Sequence, residues 1–195
     1  MGEVLNLKIE PDWDEIEVVR QRCSDFLSSK DFTDDVVHAL TMVVSELTEN
    51  SIKYGTFNNK ENKVLVDVFV GHDMVTIEVN NPIGEEALDN LKRLDKMIQG
   101  IRGYQDPFEA YIEKMKAVSK RAFSDQESGL GLARIAYEGR AILDFYVNDS
   151  DHLCVSTVSY RTPENKFDPK NKKTDRRKSD RRQGGERRKA NRRKS

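Results

Sequence analysis

Two pairs of strand-like segments, each closed by a short polar turn, constrain this chain more than any other feature. Residues 63–70 and 74–80 read as strands joined by Gly71-His72-Asp73. Residues 141–147 and 153–160 read the same way around Asn148-Asp149-Ser150-Asp151. Turns this short impose antiparallel pairing, because parallel strands need a long crossover. The sequence therefore commits to a sheet with at least two hairpins.

The remaining segments supply one more strand and several helices. Leu5-Asn6-Leu7-Lys8-Ile9 alternates as a short strand does. Pro11 and Asp12 open a helix from about Trp13 to Ser29, with Ile16, Val19, Cys23, Phe26 and Leu27 at helical spacing. Thr33 or Asp34 caps a second helix running to about Tyr54, and Gly55 ends it. Residues 85–127 hold two amphipathic patterns, Leu88-Leu91-Leu94-Met97-Ile98 and Phe108-Tyr111-Ile112-Met115-Val118, which Gly100 and Gly103 separate. A glycine-bearing turn at 128–132 leads into a last helix ending near Gly139. This order predicts an α+β two-layer sandwich: a mostly antiparallel, mixed sheet with its helices on one face. One domain is expected over residues 1–163.

Charge divides the chain unevenly. Residues 166–195 hold 15 of its 33 Lys and Arg but 4 of its 34 Asp and Glu, so that stretch carries +11 and the rest −12. Apolar content collapses after Pro163, which predicts a disordered basic tail over 164–195. Its repeated polar-Arg-Arg units suit an electrostatic tether to nucleic acid, anionic lipid or an acidic protein, or simply a solubilising extension. Nothing approaches the ~20 apolar residues of a membrane span, and Met1-Gly2-Glu3-Val4 lacks a secretory signal, so a cytoplasmic location is expected. Cys23 and Cys154 show no paired spacing and are expected to be reduced and buried. His38, His72 and His152 match no metal-ligand spacing.

The second helix is the first place where chemistry gathers. At about 100° per residue, Glu46, Asn50 and Lys53 fall within roughly 60° of one another, beside the apolar stripe. A carboxylate there can take a proton from a hydroxyl, and an amide oxygen can bind a hard cation such as Mg²⁺. The alternative is a solvated helix face with ordinary charges. The second place is Ser128-Gly129-Leu130-Gly131-Leu132, directly before a helix. Glycines there admit a phosphate to the free N–H groups of a helix start, or merely turn the chain.

Together the two features resemble a known family. Glu46-x-x-x-Asn50-Ser51-x-Lys53-Tyr54-Gly55 looks like the N-box of the GHKL ATPase superfamily, spelled as in the stand-alone anti-sigma-factor serine kinases. Ser128–Leu132 resembles its second glycine box, and the element order agrees over about residues 4–161. The resemblance implies a Bergerat-type fold that binds ATP and Mg, with residues 85–127 as the nucleotide lid. It implies Asn50 as the Mg ligand, Glu46 as general base, Lys53 beside the phosphates, and Gly129, Leu130, Gly131 and Leu132 as the phosphate-holding turn. An Asp-x-Gly-x-Gly box is expected after the strand ending near Val79, where this chain has Asn80-Asn81-Pro82-Ile83-Gly84. Asn80 then stands at the adenine-binding position and Gly84 is the surviving glycine. The implied activity is a serine/threonine kinase of a partner-switching module, acting on a STAS-like, anti-anti-sigma protein, with a homodimer left open. Two other readings stand beside it: a non-catalytic binding module with a degenerate nucleotide site, and a nucleic-acid-associated protein acting through its tail.

Overall fold

The computed structural model describes residues 2–59, 61–120 and 129–161, with every side chain among them but that of Glu86. The expected tail, Ser128 and the end of the expected lid lie outside these residues. In chain order the elements are β1 (Glu3–Ile9), α1 (Glu15–Ser28), α2 (Asp34–Tyr54), β2 (Val64–Val70) and β3 (Met74–Pro82). A single 3₁₀ turn (Glu85–Ala87) follows, then α3 (Leu88–Arg102), α4 (Pro107–Ser119), α5 (Leu130–Glu138), β4 (Ile142–Val147) and β5 (His152–Tyr160). None of the described helices is long and apolar enough to cross a membrane.

The five strands form one sheet in the order β1-β2-β3-β5-β4, and every pairing is antiparallel. The sheet is therefore not mixed as expected: β1 and β2 pair antiparallel although two helices join them. Both hairpins form where the sequence placed them. The Gly71 N–H bonds the Met74 carbonyl at 2.9 Å in the first. In the second, Asn148 Oδ1 accepts the amides of Ser150 and His152 at 3.0 and 3.1 Å, an Asx turn.

Strand alternation decides where the core sits. Val64, Val66, Val68 and Val70 of β2 are buried, as are Val75, Ile77 and Val79 of β3. They share one apolar core with Val43, Val44 and Leu47 of α2 and Ile135 and Ala136 of α5. The opposite sheet face exposes Val4, Leu65, Phe69, Met74, Ile142 and Tyr146. The result is two layers, helices on one face only. Cys23 and Cys154 are both free and buried.

Two boundaries differ from expectation, and both matter for the site. β3 continues past Asn80 to Pro82, which pairs with His152. A proline is tolerated there because it closes the strand, where no further ladder donor is needed; its carbonyl instead accepts the Thr56 amide at 2.8 Å. α3 runs straight through Gly100 and stops at Gly103, so only the second glycine separates the two helices. Asp106 then caps α4 by accepting the Phe108 amide at 2.9 Å, with Pro107 at the first helical position. Phe108 and Tyr111 pack on Tyr137, ring centroids 5.0 and 5.4 Å apart, which ties α4 to α5.

Candidate functional site

A cleft of about 330 Å³ opens between α2, α3, the start of α5 and the ends of β3 and β5. That is within the ~300–1,000 Å³ usual for small-molecule sites. α2 contributes Glu46, Glu49, Asn50 and Lys53, and the start of α5 contributes Gly129, Gly131 and Leu132. Ala87, Asn90, Leu91, Arg93, Leu94 and Met97 form a wall from the α3 side. Asn81, Ile83, Leu153 and Val155 lie at the sheet end, and Trp13 also lines the cleft.

The sequence-predicted residues are mostly brought together. Glu46, Asn50, Lys53, Gly129, Gly131 and Leu132 all line this one cleft, although more than 70 residues separate the helix from the glycine turn. Gly84 and Leu130 do not line it. Asn80 is a correction. In the β3 register Asn80 pairs with Leu65 and Cys154, on the sheet face away from the helices. The pleat sends its neighbour Asn81 the other way, 1% exposed and into the cleft wall. The Asn81 amide nitrogen donates to the Pro82 carbonyl at 3.1 Å. Continuing the period-2 series Val75, Ile77, Val79 by one more step would have found it.

The turn before α5 is a point of close approach. Gly129 has φ +60°, the left-handed conformation that glycine adopts without strain. A Cβ there would also stand 2.5 Å from Met97 Sδ. At Gly131 a Cβ would stand 2.3 Å from Glu46 Oε2, so the carboxylate rests against the first turn of α5. The first N–H groups of a helix have no partner within it, and they carry the positive end of its dipole.

Sequence reasoning missed the charge partner of Glu46. Arg134, on α5, donates from Nη1 to Glu46 Oε1 at 3.1 Å and from Nε to Glu138 Oε2 at 3.0 Å. Burial lowers the Arg134 pKa, but the bonds to Glu138 and Glu46 outweigh it and leave it raised. Glu49, one turn along from Glu46, is pushed above the usual carboxylate range, first by burial and then by the Glu46 charge, with Arg134 opposing. No local pattern announces the Glu46–Arg134 pair, whose members are 88 residues apart. Chemically the cleft combines an amide and a cation on α2, an aimed carboxylate, and a helix start across from them. Among the described residues no group of three or more His, Cys, Asp or Glu side chains is placed to hold a metal alone.

No family model matches the chain, and no curated protein sequence matches it. Among solved structures, it is similar to a chain of the crystal structure of the SiaB–SiaC complex from Pseudomonas aeruginosa. The TM-score is 0.54 and the identity 17%, over 80% of this chain and 89% of that one. At that identity the likeness is one of fold: a five-stranded antiparallel sheet under a layer of helices.

Proposed function

We propose that the cleft binds a magnesium nucleoside triphosphate, and that the chain is a serine/threonine protein kinase acting on a small regulatory partner. One observation carries this reading: Glu46 and Asn50 stand on one wall of the cleft in which Gly129 and Gly131 begin α5. Bound magnesium supplies charge neutralisation and a template for the phosphate oxygens. Asn50 offers its amide oxygen to the metal, and Lys53 and Arg93 are the cleft's cations for the phosphates. The backbone N–H groups around Gly129 and Gly131 receive the terminal phosphate, as glycine turns at helix starts do. Asn81, not Asn80, presents an amide to the base; with its nitrogen engaged by Pro82, its oxygen serves as acceptor for the adenine amino group.

The chemistry needs little else, since phosphoryl transfer is chiefly positioning and charge stabilisation. Glu46 Oε2 takes the proton from a serine or threonine hydroxyl. The hydroxyl oxygen bonds to the γ-phosphorus while the bond to the β–γ bridging oxygen breaks, and the nucleoside diphosphate leaves. A protein acceptor fits two facts: the family resemblance of the Glu46–Gly55 motif, and a fold neighbour whose structure was solved as a two-protein complex. The resemblance names the acceptor class as STAS-like.

A second reading is a non-catalytic module that binds a partner, with weak nucleotide binding or none. Asn81 favours it, because a neutral amide bonds the base less strongly than a carboxylate does. Calorimetry with Mg·ATP, followed by γ-labelled ATP with a partner co-purified on the tagged chain, separates the two. Label appearing on a partner serine or threonine, and its loss in Glu46→Gln, is the kinase outcome. Weak or absent Mg·ATP binding with a partner still held is the module outcome and sinks the kinase; tight Mg·ATP binding disfavours the module.

A further inference from the structure

Glu46 has two carboxylate oxygens, and the fold gives them different neighbours. Oε1 accepts from Arg134 Nη1 at 3.1 Å. Oε2 lies over Gly131, so close that a Cβ there would be 2.3 Å away. Arg134 is itself anchored, since its Nε bonds Glu138 Oε2 at 3.0 Å one turn further along α5. The Glu46 side chain is 21% exposed and that of Arg134 41%, so the pair is partly withdrawn from water. A guanidinium held by two carboxylates in a fixed fork leaves little freedom to either partner.

Charge adds a second reason for the arginine. Glu46 and Glu49 lie three residues apart on α2, both line the cleft, and Glu49 already feels the Glu46 charge. A phosphate group arriving at the α5 start adds further negative charge beside them. Lys53 and Arg93 also line the cleft, and Arg134 bonds Glu46 directly.

We infer that Arg134 is the positioning residue of this site: by holding Glu46 Oε1 it aims Oε2 across Gly131 at the start of α5, and it offsets the carboxylate charge that a bound triphosphate would otherwise meet. The inference rests on the nucleotide reading of the cleft and not on phosphate transfer. Arg134 acts through Glu46; it is given no contact with the transferred group.

The test is a cycle on the full chain, read by Mg·ATP calorimetry with a thermal melt of each protein. Arg134→Ala removes the guanidinium bonded to Glu46, and Mg·ATP binding weakens about tenfold, the size expected for one lost charge interaction. Arg134→Ala combined with Glu46→Gln removes the uncompensated carboxylate, and affinity returns to that of Glu46→Gln alone. Arg134→Lys keeps the charge but replaces the planar two-nitrogen fork by a single nitrogen on a flexible stem. It binds Mg·ATP within about threefold of the parent while phosphate transfer falls at least about tenfold.

Equal weakening in Arg134→Ala and the double variant, or full transfer in Arg134→Lys, overturns the inference. Should Arg134→Ala fail to fold, the lysine variant decides: Mg·ATP binding weakened about tenfold or more also overturns it, and where the parent transfers no phosphate its binding is the deciding measurement. A parent that binds Mg·ATP and shows the rescue without labelling any partner refutes the kinase reading and leaves Arg134 in its role. A parent that binds no Mg·ATP refutes both.

Discussion

Gly131 and Glu46 are placed so that any side chain on the first would displace the carboxylate of the second: a Cβ on Gly131 would stand 2.3 Å from Glu46 Oε2. The atom that must yield is the end of the Glu46 side chain, at the expense of its bond to Arg134, and no backbone is in the way. Gly131→Ala therefore changes the melting temperature by no more than about 2–4 °C, the equivalent of ~1 kcal/mol in a domain this size. Phosphate transfer drops by about 10²-fold, as for a base misplaced by ~1 Å. A melt alongside a transfer assay checks both; unchanged transfer would show that Glu46 does not act from this position.

The β3 pleat separates two adjacent asparagines. Asn81→Ala removes a hydrogen-bond acceptor from the cleft wall, and Mg·ATP binding weakens roughly 3–10-fold, the worth of one hydrogen bond. Asn80→Ala, on the other sheet face, leaves binding within about twofold. Calorimetry on the two variants settles it, and the reverse ranking would place the base elsewhere.

Trp13 is the chain's only tryptophan, lines the cleft and is 57% exposed. An exposed indole beside a filled site loses water contact and gains a stacking surface. Titration with Mg·ATP is therefore expected to change the intrinsic emission in a saturable way, with the midpoint found by calorimetry. Binding with flat emission would mean that the ligand sits away from Trp13.

Burial holds the Cys23 thiol at about 12, against an ordinary thiol value of 9.0. Between those two values the unfolded chain gives up the proton and the folded chain keeps it. Stability is thus complete below pH 9 and declines above it, by about 1.4 kcal/mol per pH unit. Cys154 is raised in the same sense by its own burial. Denaturation series from pH 8 to 10.5 should show this decline flattened in Cys23→Ala, and an unaltered slope would contradict it.

Thr41 Oγ1 on α2 is buried with no hydrogen-bond partner among the described residues. Neighbouring Ser45 and Thr48 satisfy theirs by bonding the carbonyls four residues back, at 3.0 and 2.8 Å. Thr41→Val replaces the unpartnered hydroxyl by a methyl of the same shape and is expected to stabilise by about 1 kcal/mol. A melting temperature raised by about 2–4 °C is the expected reading; a lowered one would show that the hydroxyl has a partner in solution.

Much of this molecule was legible before any coordinates. The two hairpins, the long α2 and the gathering of Glu46, Asn50 and Lys53 on one helix edge all follow from periods of two and 3.6 residues and from turn chemistry. The resemblance of Glu46–Gly55 and Ser128–Leu132 led to the expectation that two distant segments adjoin, and Glu46, Asn50, Gly129 and Gly131 line one cleft. Legibility ended where local rules compete. Asn81-Pro82 looks like a strand terminator, yet pairing with β5 carries β3 through it, and that one extra step decides which asparagine meets the cleft. Gly100 looks like a helix break, yet α3 continues through it.

What the sequence determined alone was the set of elements, the antiparallel sense of the two hairpins and which face of each element is apolar, because these are properties of neighbours along the chain. What only the tertiary structure decided was the company each side chain keeps across the cleft. Glu46 and Arg134 meet because β3, β5 and the helical layer bring α2 and α5 together, and a separation of 88 positions leaves no local trace of a 3.1 Å contact. Pairings of that kind arise from packing many elements at once, and no window along the chain contains both partners.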